Sequence, residues 1–218
     1  TLGKYMASRL ATSNNLPLKK ISVIHPWVDA EIIRPLVYES NPLAKKFNPK
    51  RKSIVLYSGN MGFSHDIETI LGASKQLRNR KDILFLFVGG GHKFQSVADF
   101  QVKNDLKNIA IYPYQDETDI RYTMTLASIS IVALGGNAHQ LMLPSKVFYY
   151  MAAGSAVIGI CSSQSELNEI IMLNNCGFCV EPGDHLKLAN VIEKLLENTE
   201  KLNSCRYNSR RFATEIGS

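Results

Sequence analysis

The chain lacks any long apolar run: stretches such as Ile129 to Leu134, interrupted by Ser130, fall far short of the roughly 18 residues needed to span a bilayer as a helix. It lacks a leader of basic, apolar and small-residue segments, and its start, Thr1-Leu2-Gly3-Lys4, has no Met, so the sequence reads as a piece of a longer chain. Cysteine is scarce. Four in 218 residues do not make a disulfide framework, and a reducing cytoplasm is the expected setting. The one close pair, Cys176-Gly177-Phe178-Cys179, has no second pair to complete a zinc site; running into Val180-Glu181-Pro182-Gly183, it reads as a short buried strand rather than a redox pair. No Asp-x-Asp metal motif occurs, and neither a metal nor another cofactor is expected. Basic residues outnumber acidic ones by 25 to 19, which favours an anionic partner. The dense basic run, Lys45-Lys46 to Lys50-Arg51-Lys52, lacks the interleaved aromatics of single-strand binding surfaces, so nucleic acid is not an expected partner.

What is present is an ordinary globular composition, 45% hydrophobic and 20% charged, at a length that suits one α/β domain with short appendages. From Lys52 onward, short β-rich runs alternate with amphipathic stretches, which predicts parallel strands joined by crossover helices. Strands are expected over Ser53–Tyr57, Ile83–Val88, Ile109–Tyr112, Ile129–Leu134, Ala156–Ile160 and Phe178–Val180. Their helices begin near Asp66, Lys93, Thr118, Ser145, Ser165 and Asp184. Near-continuous apolar strands such as Ile83-Leu84-Phe85-Leu86-Phe87-Val88 require cover on both faces, so the fold class is a Rossmann-like α/β domain with about six strands. Residues 52–198 form this domain. Residues 1–51 supply an entry helix (Leu2–Ala11), a strand (Ile21–Ile24) and a polar connection from Pro35, and residues 199–218 a C-terminal helix expected to pack toward an absent domain.

Ligands of such sheets bind beyond the carboxyl ends of the strands. The first strand ends in Ser58-Gly59-Asn60-Met61-Gly62 and passes through His65 into a helix; glycines there let backbone N–H groups approach a phosphate, or simply make a tight turn. His65 is a candidate phosphate donor or a helix cap. The second strand runs into Gly89-Gly90-Gly91, which is not the spaced dinucleotide fingerprint, so a dehydrogenase is disfavoured. After the fourth strand come the loop Gly135-Gly136-Asn137-Ala138-His139 and then Pro144-Ser145-Lys146. Here a cation stands in the first turn of a helix, against the helix dipole, which argues for an anionic partner.

Pro144-Ser145-Lys146 followed by Met151-Ala152-Ala153-Gly154, then Ser165-Glu166-Leu167, then Val180-Glu181-Pro182-Gly183-Asp184, resembles the donor site of glycosyltransferase family 4. Upstream, Trp27-Val28-Asp29 with Pro35-Leu36 is similar to the tract that enters the C-terminal domain of bacterial polysaccharide members. The resemblance implies the donor-binding half of a two-domain GT-B enzyme, with retaining transfer from a nucleotide diphosphate sugar, uridine diphosphate (UDP) sugar expected, to a glycan or lipid-linked acceptor. The acceptor domain would lie outside these residues, the isolated chain would lack transfer activity, and the full protein would work in the cytoplasm or at the inner face of the plasma membrane. By the same resemblance, Lys146 and Ser145 stabilise the leaving diphosphate. Gly59, Asn60, Gly62, His65, Gly89, Tyr114, Gln115, Pro144, Tyr149 and Glu166 complete the nucleotide-sugar site, with Tyr114 and Gln115 at the base and Glu166 near ribose or phosphate, or merely favouring its own helix N-terminus. Two departures stand out. The family's paired glutamates fall on Leu141 and Tyr149, and its first-loop Arg and Lys on Asn60 and His65, which leaves Lys146 as the main cation. A non-hydrolysing epimerase and a non-catalytic binding module are the rival readings.

Overall fold

The structure, a computed structural model, describes residues 1–135 and 142–216. The entry tract holds α1 (Lys4–Ser13), 3-10 turns at Leu18–Lys20 and Tyr38–Ser40, and α2 (Ala44–Phe47). There follow β1 (Ser53–Asn60), α3 (Ile67–Gln76), β2 (Ile83–Gly90), α4 (Phe94–Lys103), β3 (Ile109–Tyr112) and α5 (Glu117–Met124). The second half repeats the alternation with β4 (Ile129–Ala133), α6 (Lys146–Ala152), β5 (Ala156–Ile160), α7 (Glu166–Leu173), β6 (Gly177–Val180), α8 (His185–Glu197) and α9 (Thr199–Ile216).

All six strands are parallel, in the order β3-β2-β1-β4-β5-β6. Alternation along β1 explains the two faces. Ile54 and Leu56 join one apolar cluster with Phe148 and Met151 of α6 and Ile171 of α7, while Val55 and Tyr57 join the other with Ile70 of α3, Val97 of α4 and Ile192 of α8. Burying both faces is what allows unbroken apolar strands, with each fully buried large side chain contributing about 1.5–3 kcal/mol.

The strand order reverses between β1 and β4, and there the ladder is short: only Val55 pairs with Ile129 and Leu56 with Ser130. Beyond that point the strands part, and the Ser58 backbone, which faces the gap, is served by a side chain. Tyr150 accepts from the Ser58 N–H at 2.8 Å and donates to the Ser58 carbonyl at 3.1 Å, with its ring fully buried. One phenol thus replaces a missing pair of ladder bonds and sets the width of the crevice.

Residues 21–24, expected as a strand, are extended but belong to no sheet; no strand lies beside them to complete a ladder, and Ile24 reaches only the carbonyl of Thr1. The polar tract from Pro35 is more than a connection. Phe47 is buried edge-on against Tyr112 with ring centroids 4.4 Å apart, and Asn41 donates to the Tyr122 carbonyl at 2.8 Å. The C-terminal helix α9 packs on α6, β5 and α8 of this same domain, and Arg210 donates to the carbonyls of Ala30, Ile33 and Ala152.

Candidate functional site

The carboxyl ends of all six strands face one edge, and the reversal between β1 and β4 opens a crevice in it, the place where doubly wound sheets take ligands. Lys146, the first residue of α6, reaches across this crevice to β1. Its Nζ lies 3.3 Å from the Tyr57 hydroxyl and 4.4 Å from the Tyr57 ring centroid. A Cβ on Gly59 would stand 3.3 Å from the same Nζ, and Gly59 has φ +116°, so glycine is required there both for backbone and for room. No carboxylate lies within 4 Å of Lys146 among the described residues. Burial pushes its ammonium down to about 8, from an ordinary 10.5. Among the described residues this desolvated cation therefore has no counter-charge and stands against a glycine loop.

The loop after β1 is built around Tyr57. Its hydroxyl donates to the Asn60 carbonyl at 2.8 Å and stands 3.0 Å from Nδ1 of His65, which also lies against that carbonyl. His65 therefore ties the 60–65 turn inward. Burial first, then the nearby Lys146, holds its pKa below the usual imidazole value, so the ring is neutral at physiological pH. It does not cap the following helix, because that place belongs to Asp66, which accepts from the Thr69 N–H at 3.0 Å. Gly62 follows in the same turn, its N–H directed at Nδ1 of His65 at 3.4 Å.

Gly89 and Gly91 support this loop from beneath. A Cβ at Gly89 would sit 2.0 Å from the Gly59 carbonyl oxygen, and one at Gly91 would sit 2.2 Å from the Asn60 side chain. Tyr114 is exposed, its ring over Gly90, and Gln115 is fixed by donation to the Pro113 carbonyl at 2.7 Å. These two residues, with Ser58, Gly59, Val88 and Ile120, enclose a small pocket of about 140 Å³. Pro144 and Ser145 lead into α6; the Ser145 hydroxyl makes no capping bond, and Tyr149 stands three residues beyond Lys146 on the same helix. The loop Gly136-Asn137-Ala138-His139 and Leu141 lie outside the described residues.

Glu166 is committed elsewhere. It is buried, and its carboxylate accepts from the N–H of Lys4 at 2.9 Å and of Tyr5 at 3.4 Å, so it caps α1. Any Cβ at Gly3 would collide with it at 1.9 Å, which is why glycine begins that helix. Lys4 also pairs with Glu169. Glu166→Gln is accordingly expected to speed hydrogen exchange at the Lys4 and Tyr5 amides by roughly tenfold, with nucleotide affinity held within about twofold. Loss of affinity with exchange unchanged would return Glu166 to the ligand. The sequence hid Tyr57 and Tyr150, which read as strand and helix core; nothing local marks a buried phenol as a loop anchor. The cysteines are free thiols, and Cys179 lies beside Cys161, the residue just past the end of β5.

Fold and site together define a doubly wound α/β domain with a lysine that, among the described residues, has no carboxylate partner and faces a glycine loop at the switch point. Residues 41–212 match the family described as Glycosyl transferases group 1, most of the chain, and the protein belongs to that family. Among curated proteins it is similar to WbjE of Pseudomonas aeruginosa, described as a probable glycosyltransferase: 24% identical over 196 residues, covering 90% of this chain and 48% of WbjE. Among solved structures, a glycosyltransferase from Rickettsia africae aligns with TM-score 0.84 and 20% identity over all of this chain and 58% of its own. Alr3699/HepE of Anabaena, solved with UDP and with UDP-glucose, aligns with TM-score 0.79 in the UDP complex, at 14% identity over 95% of this chain and 56% of its own. The structural likenesses establish the Rossmann-like fold of GT-B enzymes. The chain spans about half the length of the relatives it matches. No helix among the described residues is long and apolar enough to cross a membrane.

Proposed function

We propose that this chain is the donor-binding half of a retaining glycosyltransferase of family 4, holding a UDP-sugar for transfer to a glycan or lipid-linked acceptor. The observation that carries the reading is Lys146: a desolvated ammonium with no carboxylate partner among the described residues, 3.3 Å from Tyr57 and packed on Gly59 at the switch point of the sheet. A nucleotide diphosphate supplies the missing negative charge. That charge grows as the sugar–oxygen bond breaks, so a fixed ammonium stabilises the departing diphosphate more than the bound donor. The Ser145 hydroxyl, which makes no capping bond, precedes Lys146 directly and is the further donor this reading assigns to the diphosphate. Support for the base comes from the UDP complexes of HepE and from the small pocket at Tyr114 and Gln115. The acceptor groove is assigned to an absent half, in keeping with the apolar side chains left exposed in the entry tract, Ile24 and Trp27 above all.

Calorimetric titration with UDP tests the assignment: the chain is expected to bind it, and a hundredfold excess over the dissociation constant to add about 2.7 kcal/mol of stability. No heat at millimolar UDP with the chain folded would sink it. Tyr149, an uncharged residue where family resemblance expects a glutamate, supports a non-catalytic binding module as the second reading. Turnover of donor by the complete parent chain with acceptor decides between them.

A further inference from the structure

Lys146 crosses the crevice on a flexible four-carbon stem, so its action on an anion depends on what fixes the place of its ammonium. Among the described residues, its hydrogen-bond partner is the Tyr57 hydroxyl. Tyr57 stands on β1 two positions before Gly59 and is buried, its ring centroid 6.3 Å from that of Phe87 and 6.4 Å from that of His65. The hydroxyl is tied to the turn that follows, donating to the Asn60 carbonyl at 2.8 Å and lying 3.0 Å from Nδ1 of His65. A hydroxyl has one proton, and that turn takes it. An ammonium only donates, so the phenol oxygen presents a lone pair to Lys146 at 3.3 Å. The ring adds its face, with Nζ 4.4 Å from the centroid, an attraction that is stronger for a desolvated cation.

We infer that Tyr57 is a positioning residue of the donor site, holding the Lys146 ammonium against the Gly59 loop by oxygen and ring together, in the empty site and in the complex alike. The inference rests on the donor-site reading above. Of the three ammonium protons one goes to Tyr57, which leaves two for the diphosphate. The strand makes the placement firm: β1 is paired with β2 from Ser53 to Asn60, and a side chain on such an element is held more precisely than one on a loop. Around the pair stand His65, which burial keeps neutral at physiological pH, Lys93 beyond it, and the phenols of Tyr150 and Tyr114, which act on Tyr57. No carboxylate among the described residues acts on the ammonium, so the Tyr57 oxygen is what favours its charged form.

Tyr57→Phe keeps the ring and removes the acceptor. UDP affinity should fall roughly threefold to tenfold, with uridine affinity held within about twofold. In a Lys146→Ala background the same substitution should change UDP affinity by less than about twofold, because the hydroxyl acts through the ammonium. The direction of the pH effect separates positioning from general loosening. Without the accepting oxygen the charged form is less favoured, so the fall in UDP affinity relative to uridine, which begins at about 8 in the parent, should begin at lower pH. A merely structural role would let water reach the lysine and move that point upward, toward 10.5. A Tyr57→Phe variant that binds UDP as the parent does, a loss equally large without Lys146, or a point that stays or moves upward each overturns the proposal while wild type still binds UDP. Should the variant not fold, wild type decides by proton NMR. The ε-methylene signal of Lys146, identified by its absence from Lys146→Met, should be shifted upfield by the Tyr57 ring in the empty chain and remain so at saturating UDP; a shift missing from either state overturns the proposal. Failure of UDP to bind wild type overturns the donor-site reading itself, and this inference with it.

Discussion

Lys146→Ala is expected to weaken UDP binding roughly tenfold to a hundredfold while leaving uridine affinity almost unchanged. The magnitude follows from what the lysine lacks. Among the described residues its ammonium has one polar partner, the Tyr57 hydroxyl at 3.3 Å, and that bond is neutral on the tyrosine side because burial raises the Tyr57 pKa well above the ordinary phenol value. The cation therefore keeps most of its bonding capacity for a ligand. Other nearby groups are poor substitutes: His65 is held neutral and turned toward the Asn60 carbonyl, and Lys93 is spent on the His65 carbonyl and Glu68, both at 2.8 Å. In the complete enzyme the loss in turnover should exceed the loss in donor affinity, because the diphosphate is more negative in the transition state than in the bound donor. Parallel titrations of UDP and uridine read the first part. An alanine variant that folds and binds UDP as tightly as the parent reduces Lys146 to a solvated helix residue.

The sequence carried the fold further than the site. All six strands from Lys52 onward, and the starts of their helices, follow from apolar runs and from the local chemistry at Asp66, Ser165 and Asp184, each of which caps its helix as such residues do. The stretch Ile21–Ile24 misled for the complementary reason: β-branched residues predict extended backbone, but a strand also needs a neighbour, and none is present. Lys146 was legible because a cation at a helix start breaks a local rule. Glu166 looked like a ligand for the same kind of reason, an acid at the start of a helix behind a serine cap. Its partner, the N-terminus of α1, lies 162 residues away in sequence, and no local pattern reports such a pairing.

Lys146→Met is expected to stabilise the ligand-free chain at pH 7 by about 1–3 kcal/mol even as it weakens UDP binding, the upper end being reduced because the side chain is only partly enclosed. The ammonium titrates at about 8 in the folded chain against 10.5 ordinarily, so burial disfavours its charge. Below pH 8 both folded and unfolded chains carry the proton, and the cost of burying it is present in full. Between 8 and 10.5 the unfolded chain holds a proton that the folded one has released, so the lysine's contribution to stability rises with pH and the advantage of methionine closes. Binding runs the other way. UDP carries its full phosphate charge above pH 7, its last phosphate proton leaving near 6, so affinity measured relative to uridine, whose uracil imide ionises in the same way, should be level up to about pH 8 and then fall by up to tenfold per unit as Lys146 loses its charge. The Cys176 thiol, which burial pushes up to about 11, lowers stability over part of this range, but it does so in parent and variant alike and cancels in their difference. Urea melts of both proteins from pH 7 to 10, with UDP titrations at the same points, therefore give two slopes of opposite sign from one ammonium. A methionine variant no more stable than its parent at pH 7, together with affinity that stays flat to pH 10, would show that Lys146 is neither desolvated nor facing the diphosphate.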